Sequence, residues 1–221
     1  MEFTNLLMHF SEIVGTVAFA ISGAMVAVRY RLDLFGVLLL GGVTALGGGT
    51  LRDLLMGSVP PRMFSSFEYL LIAAITSFVV FSLAYFARGK EWKRPSALGE
   101  MLNVIDALGL GAFAVAGTQM PMLGGYADNP FMCVFLGMTT GVGGGILRDL
   151  MIRDIPAVLR KDVYAVAAII GSAVYYLLAR CMGANSGVPT LAGIAVTVAI
   201  RVLASRYRWN LPRIKFPQDL Y

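Results

Sequence analysis

At 221 residues the chain has the length of one large soluble domain or two small ones, but 57% of it is hydrophobic and only 14% is charged, with a mean hydropathy of +0.73. A soluble globule carries about a quarter charged residues, so this chain lacks the polar surface to cover itself, and the same figures exclude intrinsic disorder. The formal charge of +5 is read as loop charge that orients membrane spans, not as a nucleic-acid surface.

A transmembrane helix needs about 20 largely apolar residues. Seven stretches qualify, at about 5–28, 34–57, 68–88, 100–121, 131–152, 162–182 and 187–206. The expected fold is therefore an all-α polytopic membrane protein. Met1-Glu2-Phe3 lacks the basic start of a signal peptide, so the first span is expected to stay in the mature chain. Arg29-Tyr30-Arg31-Leu32-Asp33 ends the first span, Pro60-Pro61-Arg62 follows the second, and the run from Gly89 to Pro95 follows the third. Gly183-Ala184-Asn185-Ser186 precedes the seventh. Cys133 and Cys181 offer neither a disulfide framework nor a metal set.

With seven spans, the loops after spans 1, 3 and 5 share a side with the C-terminal tail. That side holds thirteen Lys and Arg residues, from Arg29 to Lys215, and the opposite side holds Arg62 and Arg180 alone. The positive-inside rule then predicts an external N-terminus and a cytoplasmic C-terminus.

The sequence also repeats. Gly47-Gly48-Gly49-Thr50-Leu51-Arg52-Asp53-Leu54 recurs as Gly143-Gly144-Gly145-Ile146-Leu147-Arg148-Asp149-Leu150, 96 residues on, and the same displacement maps Gly41 onto Gly137 and Pro60 onto Pro156. Upstream, a displacement of 94 maps Glu12 onto Asp106, Gly15 onto Gly109, Phe19 onto Phe113 and Gly23 onto Gly117. Copies that begin three spans apart face opposite ways, the inverted-repeat plan of many transporters. The expected organisation is a first three-helix repeat at 1–95, a second, inverted one at 96–183, and a seventh helix with a basic tail at 184–221. Spans 3 and 6 are paired by order alone.

Three glycines in mid-span each cost about 1 kcal/mol of helix propensity relative to Ala. Read as a helix break, Gly47, Gly48, Gly49, Gly143, Gly144 and Gly145 free backbone groups for a polar path in the protein interior. Read as packing, they extend small-residue stripes that let helices touch. Arg52-Asp53 and Arg148-Asp149 follow about one turn later. Charges at such depth rarely face lipid. Neighbours on a helix point about 100° apart, so each arginine is expected to pair with another span, Arg52 with the second half and Arg148 with the first. The pairs serve as a clamp between halves, as a cation path through Asp53 and Asp149, or as both.

Glu12 and Asp106, about two turns into spans 1 and 4, either attract cations and protons or accept hydrogen bonds from a broken helix end. Arg201 is read as snorkelling to the interface, His9 as ordinary interface packing, and Trp92, Trp209, Tyr207 and Tyr69 as interface anchors. No phosphate-binding loop, His/Cys metal cluster or nucleophile elbow is present in the sequence. An enzyme is not expected, nor a cofactor, nor a resident metal.

Seven spans in a three-plus-three-plus-one pattern, with Gly-Gly-Gly-x-x-Arg-Asp in spans 2 and 5, resemble the prokaryotic trimeric intracellular cation (TRIC) channel family, which overlaps the bacterial UPF0126 or glycine transporter domain membrane proteins. The resemblance covers about residues 5–206. It implies a homotrimer in the plasma membrane of a prokaryote, in contact with membrane lipid and conducting potassium and sodium. Each subunit would carry a pore lined by spans 2 and 5 and kinked at the glycine triplets, with Arg52, Asp53, Arg148 and Asp149 alongside. Animal members carry a Lys-Glu-Val lipid-binding motif in span 2. Arg52-Asp53-Leu54 stands there in this chain, so phosphoinositide dependence is not carried over. The alternative from the residues themselves is a transporter of glycine or another small zwitterion, held between half-helix N-termini and an acid. A membrane scaffold without transport is the third reading.

Overall fold

The computed structural model describes residues 2–65, 67–87, 95–160, 163–182 and 187–209. Residues 88–94 with Trp92, residues 183–186, Lys161, and residues 210–221 with Arg213 and Lys215 lie outside them.

Among the described residues, seven helices are long and apolar enough to cross a membrane. They are α1 (Glu2–Arg29), α2 (Leu34–Leu55), α4 (Glu68–Phe86), α5 (Pro95–Pro121), α6 (Pro130–Met151), α8 (Tyr164–Met182) and α9 (Gly187–Tyr207). The spans read from hydropathy match them to within a few residues. Two four-residue helices, α3 (Arg62–Ser65) and α7 (Ala157–Arg160), and a π-turn at Met122–Tyr126 were not expected. The short helices are too brief to leave a periodic signal.

The boundaries of α2 and α6 are built from the same chemistry. The side chain of Asp33 accepts the Gly36 N–H at 2.8 Å, and Asn129 accepts the Met132 N–H at 3.0 Å, with Pro130 in the first turn. Such caps satisfy donors that the first turn leaves free. At the other ends, Gly57 and Arg153 take left-handed backbone angles, with φ of 72° and 57°. Their N–H groups bond back to Leu54 and Leu150, and the next residues bond to Asp53 and Asp149, closing the last turn as in a Schellman motif. Each start and each end is related to its counterpart by the 96-residue displacement.

α1 and α5 form the most buried pair of spans. Phe19 and Phe113 meet edge to face between them, with centroids 5.3 Å apart. A β-carbon added to Gly15 would strike the Phe113 ring, and one added to Gly109 would strike the Phe19 ring. α2 packs on α1 and α4, α6 packs on α5 and α8, and α2 crosses α6. At that crossing Gly48 faces the Thr140 carbonyl and Gly144 faces the Thr44 carbonyl, so the two helices run in opposite directions. α9 completes the bundle against α5 and α8.

The triplets do not break their helices. α2 and α6 are continuous through Gly47–Gly49 and Gly143–Gly145, so the backbone groups that a break would free remain in the helical ladder. The physical reason is close approach. A β-carbon on Gly48 would collide with the Thr140 carbonyl oxygen, and one on Gly144 with that of Thr44. Gly47 is covered by Leu147 and Gly143 by Leu51. In this conformation the first two glycines of each triplet serve helix packing, and the third faces the charged residues.

Candidate functional site

Beyond the crossing, each of these two helices carries its Arg-Asp pair four and five residues past the central glycine, or about 6–8 Å at 1.5 Å per residue. Because α2 and α6 are antiparallel, the pairs lie at opposite ends of the crossing. Each gathers a cluster of charges.

In the first cluster, Asp53 Oδ1 accepts from Arg52 Nε at 2.9 Å and from Nη2 at 2.8 Å. Asp53 Oδ2 accepts the Arg62 backbone N–H at 3.0 Å, so the acid fastens the turn after α2. Glu12, from α1, accepts from Arg62 Nη2 at 2.9 Å and from the Tyr69 hydroxyl at 2.7 Å, with Arg52 Nη1 farther off at 3.7 Å. His9 Nδ1 lies 2.9 Å from the same hydroxyl. Gly49, Thr50 and Met63 help line a cavity of about 50 Å³ beside these groups.

The second cluster repeats the plan. Asp106, from α5, accepts from Arg148 Nη1 at 2.8 Å and from the Tyr164 hydroxyl at 2.7 Å. Arg148 Nε donates to Asp149 Oδ1 at 2.8 Å, and Asp149 Oδ2 accepts the Ala157 N–H at 2.7 Å. Ser22 bridges Arg148 and Asp106 at 2.7 and 3.0 Å. A cavity of about 300 Å³ opens beside Asp106, Arg148 and Asp149, with Arg29, Asn103 and Asp154 also on its wall.

The structure thus joins Glu12 to Arg52 and Asp53, and Asp106 to Arg148 and Asp149, but it corrects the expected pairing. Each arginine does meet an acid of another span, Asp106 at 2.8 Å for Arg148 and Glu12 at 3.7 Å for Arg52, but that acid comes from its own half of the chain, and each arginine also bonds its own neighbour. The 100° offset between neighbours is overcome by the long arginine stem, which curls back at the helix end where the Asp carboxylate already caps the following turn. Among the described residues, the hydrogen bonds between the halves within a cluster run through Ser22, which meets both Arg148 and Asp106. Arg201 is corrected as well: it is 3% exposed, with its guanidinium carbon 4.5 Å from the Tyr164 ring centroid, a cation–π placement in place of a snorkel. Tyr69 serves Glu12 rather than a lipid interface, whereas Tyr207 and Trp209 are exposed as expected of anchors.

Sequence reasoning read Arg62 as a loop charge and Tyr69 as an interface anchor, and it passed over Tyr164 and Ser22. The two tyrosines were detectable. A displacement of 95, between the 94 and 96 already found, maps Tyr69 onto Tyr164 and Ser77 onto Ser172. Those serines also stand in equivalent places, against Gly41 and Gly137.

Against known proteins, the model of the glycine transporter family matches residues 9–85 and again 103–180. The chain is 38% identical to the UPF0126 inner membrane protein YadS of Escherichia coli K12 over 215 residues, which is 97% of this chain and 99% of that one. It superposes on a TRIC cation channel with a TM-score of 0.79 at 36% identity, covering 95% of this chain and 98% of the other. For a prokaryotic TRIC channel crystallised in 0.5 M KCl the TM-score is 0.82 at 29% identity, over 94% and 100% of the two chains.

Proposed function

Since this chain belongs to the UPF0126 membrane proteins of the glycine transporter family and shares the fold of the TRIC cation channels, we propose that it is a potassium-permeable monovalent cation channel. The observation that carries the reading is the doubled cluster: two buried acids at each end of the α2–α6 crossing, each end beside its own cavity. Acids that line a pore favour cations. The path in each subunit would follow α2 and α6, with the close contacts of Gly48 and Gly144 and the Phe19–Phe113 pair shutting it in this conformation. Opening would separate the helices at the triplets, where glycine makes bending cheap.

The same reading takes the chain as two inverted three-helix repeats plus a seventh helix, supported by reciprocal contacts such as Gly48 on Thr140 and Gly144 on Thr44. It places the protein in a bacterial inner membrane as a homotrimer, with the Glu12 cluster toward the outside and the Asp106 cluster toward the cytoplasm. An apolar groove of about 480 Å³ along α2 and α4 is available for a subunit contact or for lipid.

A second reading has one observation in its favour. The larger cavity carries both signs of charge, Arg29 and Arg148 with Asp106 and Asp149, as a small zwitterion such as glycine requires. One flux experiment separates the two. Purified protein in liposomes should pass potassium without saturating, and Asp53→Asn or Asp149→Asn should lower that flux about tenfold, the effect of about 1.4 kcal/mol, or change its selectivity. Saturable glycine uptake that alanine competes away, with no potassium current, would favour the transporter. Potassium flux unaltered in both variants would reduce the acids to clamps.

A further inference from the structure

The two clusters differ in one guanidinium. Arg148 sits between both of its acids, 2.8 Å from Asp106 and 2.8 Å from Asp149. Arg52 holds Asp53 at 2.8 Å but stands 3.7 Å from Glu12, because Arg62 takes the same Glu12 oxygen at 2.9 Å. Arg62 Nε also lies 3.8 Å from Asp53 Oδ1. Arg62 is foreign to the repeat: where the first half has Pro60-Pro61-Arg62, the second has Pro156-Ala157-Val158. Its backbone task, the N–H bond to the Asp carboxylate, falls there to Ala157. The second arginine of the other cluster, Arg201, comes from α9 and lies over Tyr164.

We propose that Arg62 is a tethered counter-ion, its guanidinium filling the place between Glu12 and Asp53 that a monovalent cation takes when this end of the path opens. The proposal rests on the channel reading above. With Arg62 in place, two carboxylates face two guanidiniums. With Arg62 withdrawn, negative charge is in excess by one on the wall of a cavity of about 50 Å³, a volume of the order of one or two water molecules at about 30 Å³ each.

Arg62 is also the member free to leave. Its side chain is 38% exposed, against 4% for Arg52, so water can take over its hydrogen bonds as it withdraws, as it could not for a fully buried guanidinium. It is carried on the four-residue α3, which is fastened to α2 through the Arg62 N–H and through a 2.9 Å contact between Thr50 and Met63. Its Nε is buried without a hydrogen-bond partner, so the guanidinium fills the position without satisfying it fully.

The test is potassium flux into liposomes through purified protein. Arg62→Gln should raise flux roughly tenfold, which corresponds to about 1.4 kcal/mol, and Arg62→Lys should stay near wild type. In a Cys181→Ser background, Arg62→Cys should conduct like Arg62→Gln. A cationic aminoethyl methanethiosulfonate should then return flux to the wild-type level, whereas a neutral reagent of similar size should leave it high. Because the reagents act on one folded population, this arm stands even if the Gln variant assembles poorly. Arg62→Gln equal to a conducting wild type, or closure by the neutral reagent as well, would overturn the tether alone. No potassium flux in either wild type or Arg62→Gln would overturn the channel reading with it.

Discussion

Gly48→Ala and Gly144→Ala are expected to destabilise the protein strongly, although each adds one methyl group and a better helix former. The propensity gain is about 1 kcal/mol. Against it stands a β-carbon driven into the carbonyl oxygen of Thr140 or Thr44 across the crossing. Backbone on the facing helix cannot rotate away as a side chain can, so α2 and α6 must part. Overpacking of this kind costs about 1–3 kcal/mol and sometimes more, and the displaced helices also loosen the clusters at both ends. Gly42 supplies the control on the same helix, since a β-carbon there meets nothing within 4 Å. Gly42→Ala should leave the thermal midpoint in detergent unchanged or raise it, while the other two lower it by several degrees or abolish monodisperse protein. Equal midpoints for all three would remove the packing role assigned to the central glycines.

Arg148→Leu should be the most damaging single charge removal. Arg148 is the shared donor to Asp106 and Asp149, all three are buried, and breaking a buried pair by removing one partner costs about 3–5 kcal/mol. Arg52→Leu should cost clearly less, because Arg62 continues to bond Glu12 through its side chain and Asp53 through its N–H. Comparing folded yield and thermal midpoint for the two variants reads the difference. An Arg52 variant as unstable as the Arg148 variant would mean that Arg62 carries none of the first cluster's charge balance.

Much of this architecture was written in the chain. Hydropathy placed the seven spans because lipid demands long apolar helices with internally paired backbone, and the 94- and 96-residue displacements tied Glu12 to Asp106 and Arg52-Asp53 to Arg148-Asp149. Side-chain reach was not legible. Helical geometry places Arg52 and Asp53 on different faces, and only the capped turn after α2 shows that the guanidinium folds back onto the carboxylate. Arg201 escaped for a similar reason: its span has no copy in the chain, so no symmetry argument could assign it to Tyr164. The glycines were ambiguous because a triplet weakens a helix and also lets two helices touch. The choice depends on Thr140 and Thr44, which stand more than ninety residues away in sequence.

The central claim is that a cation path runs along the α2–α6 crossing between the two charge clusters, and single-channel recording of purified protein across a potassium chloride gradient tests it most directly. The account predicts unitary currents whose reversal potential shifts toward the potassium equilibrium potential as the gradient is raised. Currents that reverse at a potential indifferent to the gradient, or glycine uptake with no unitary current at all, would contradict it.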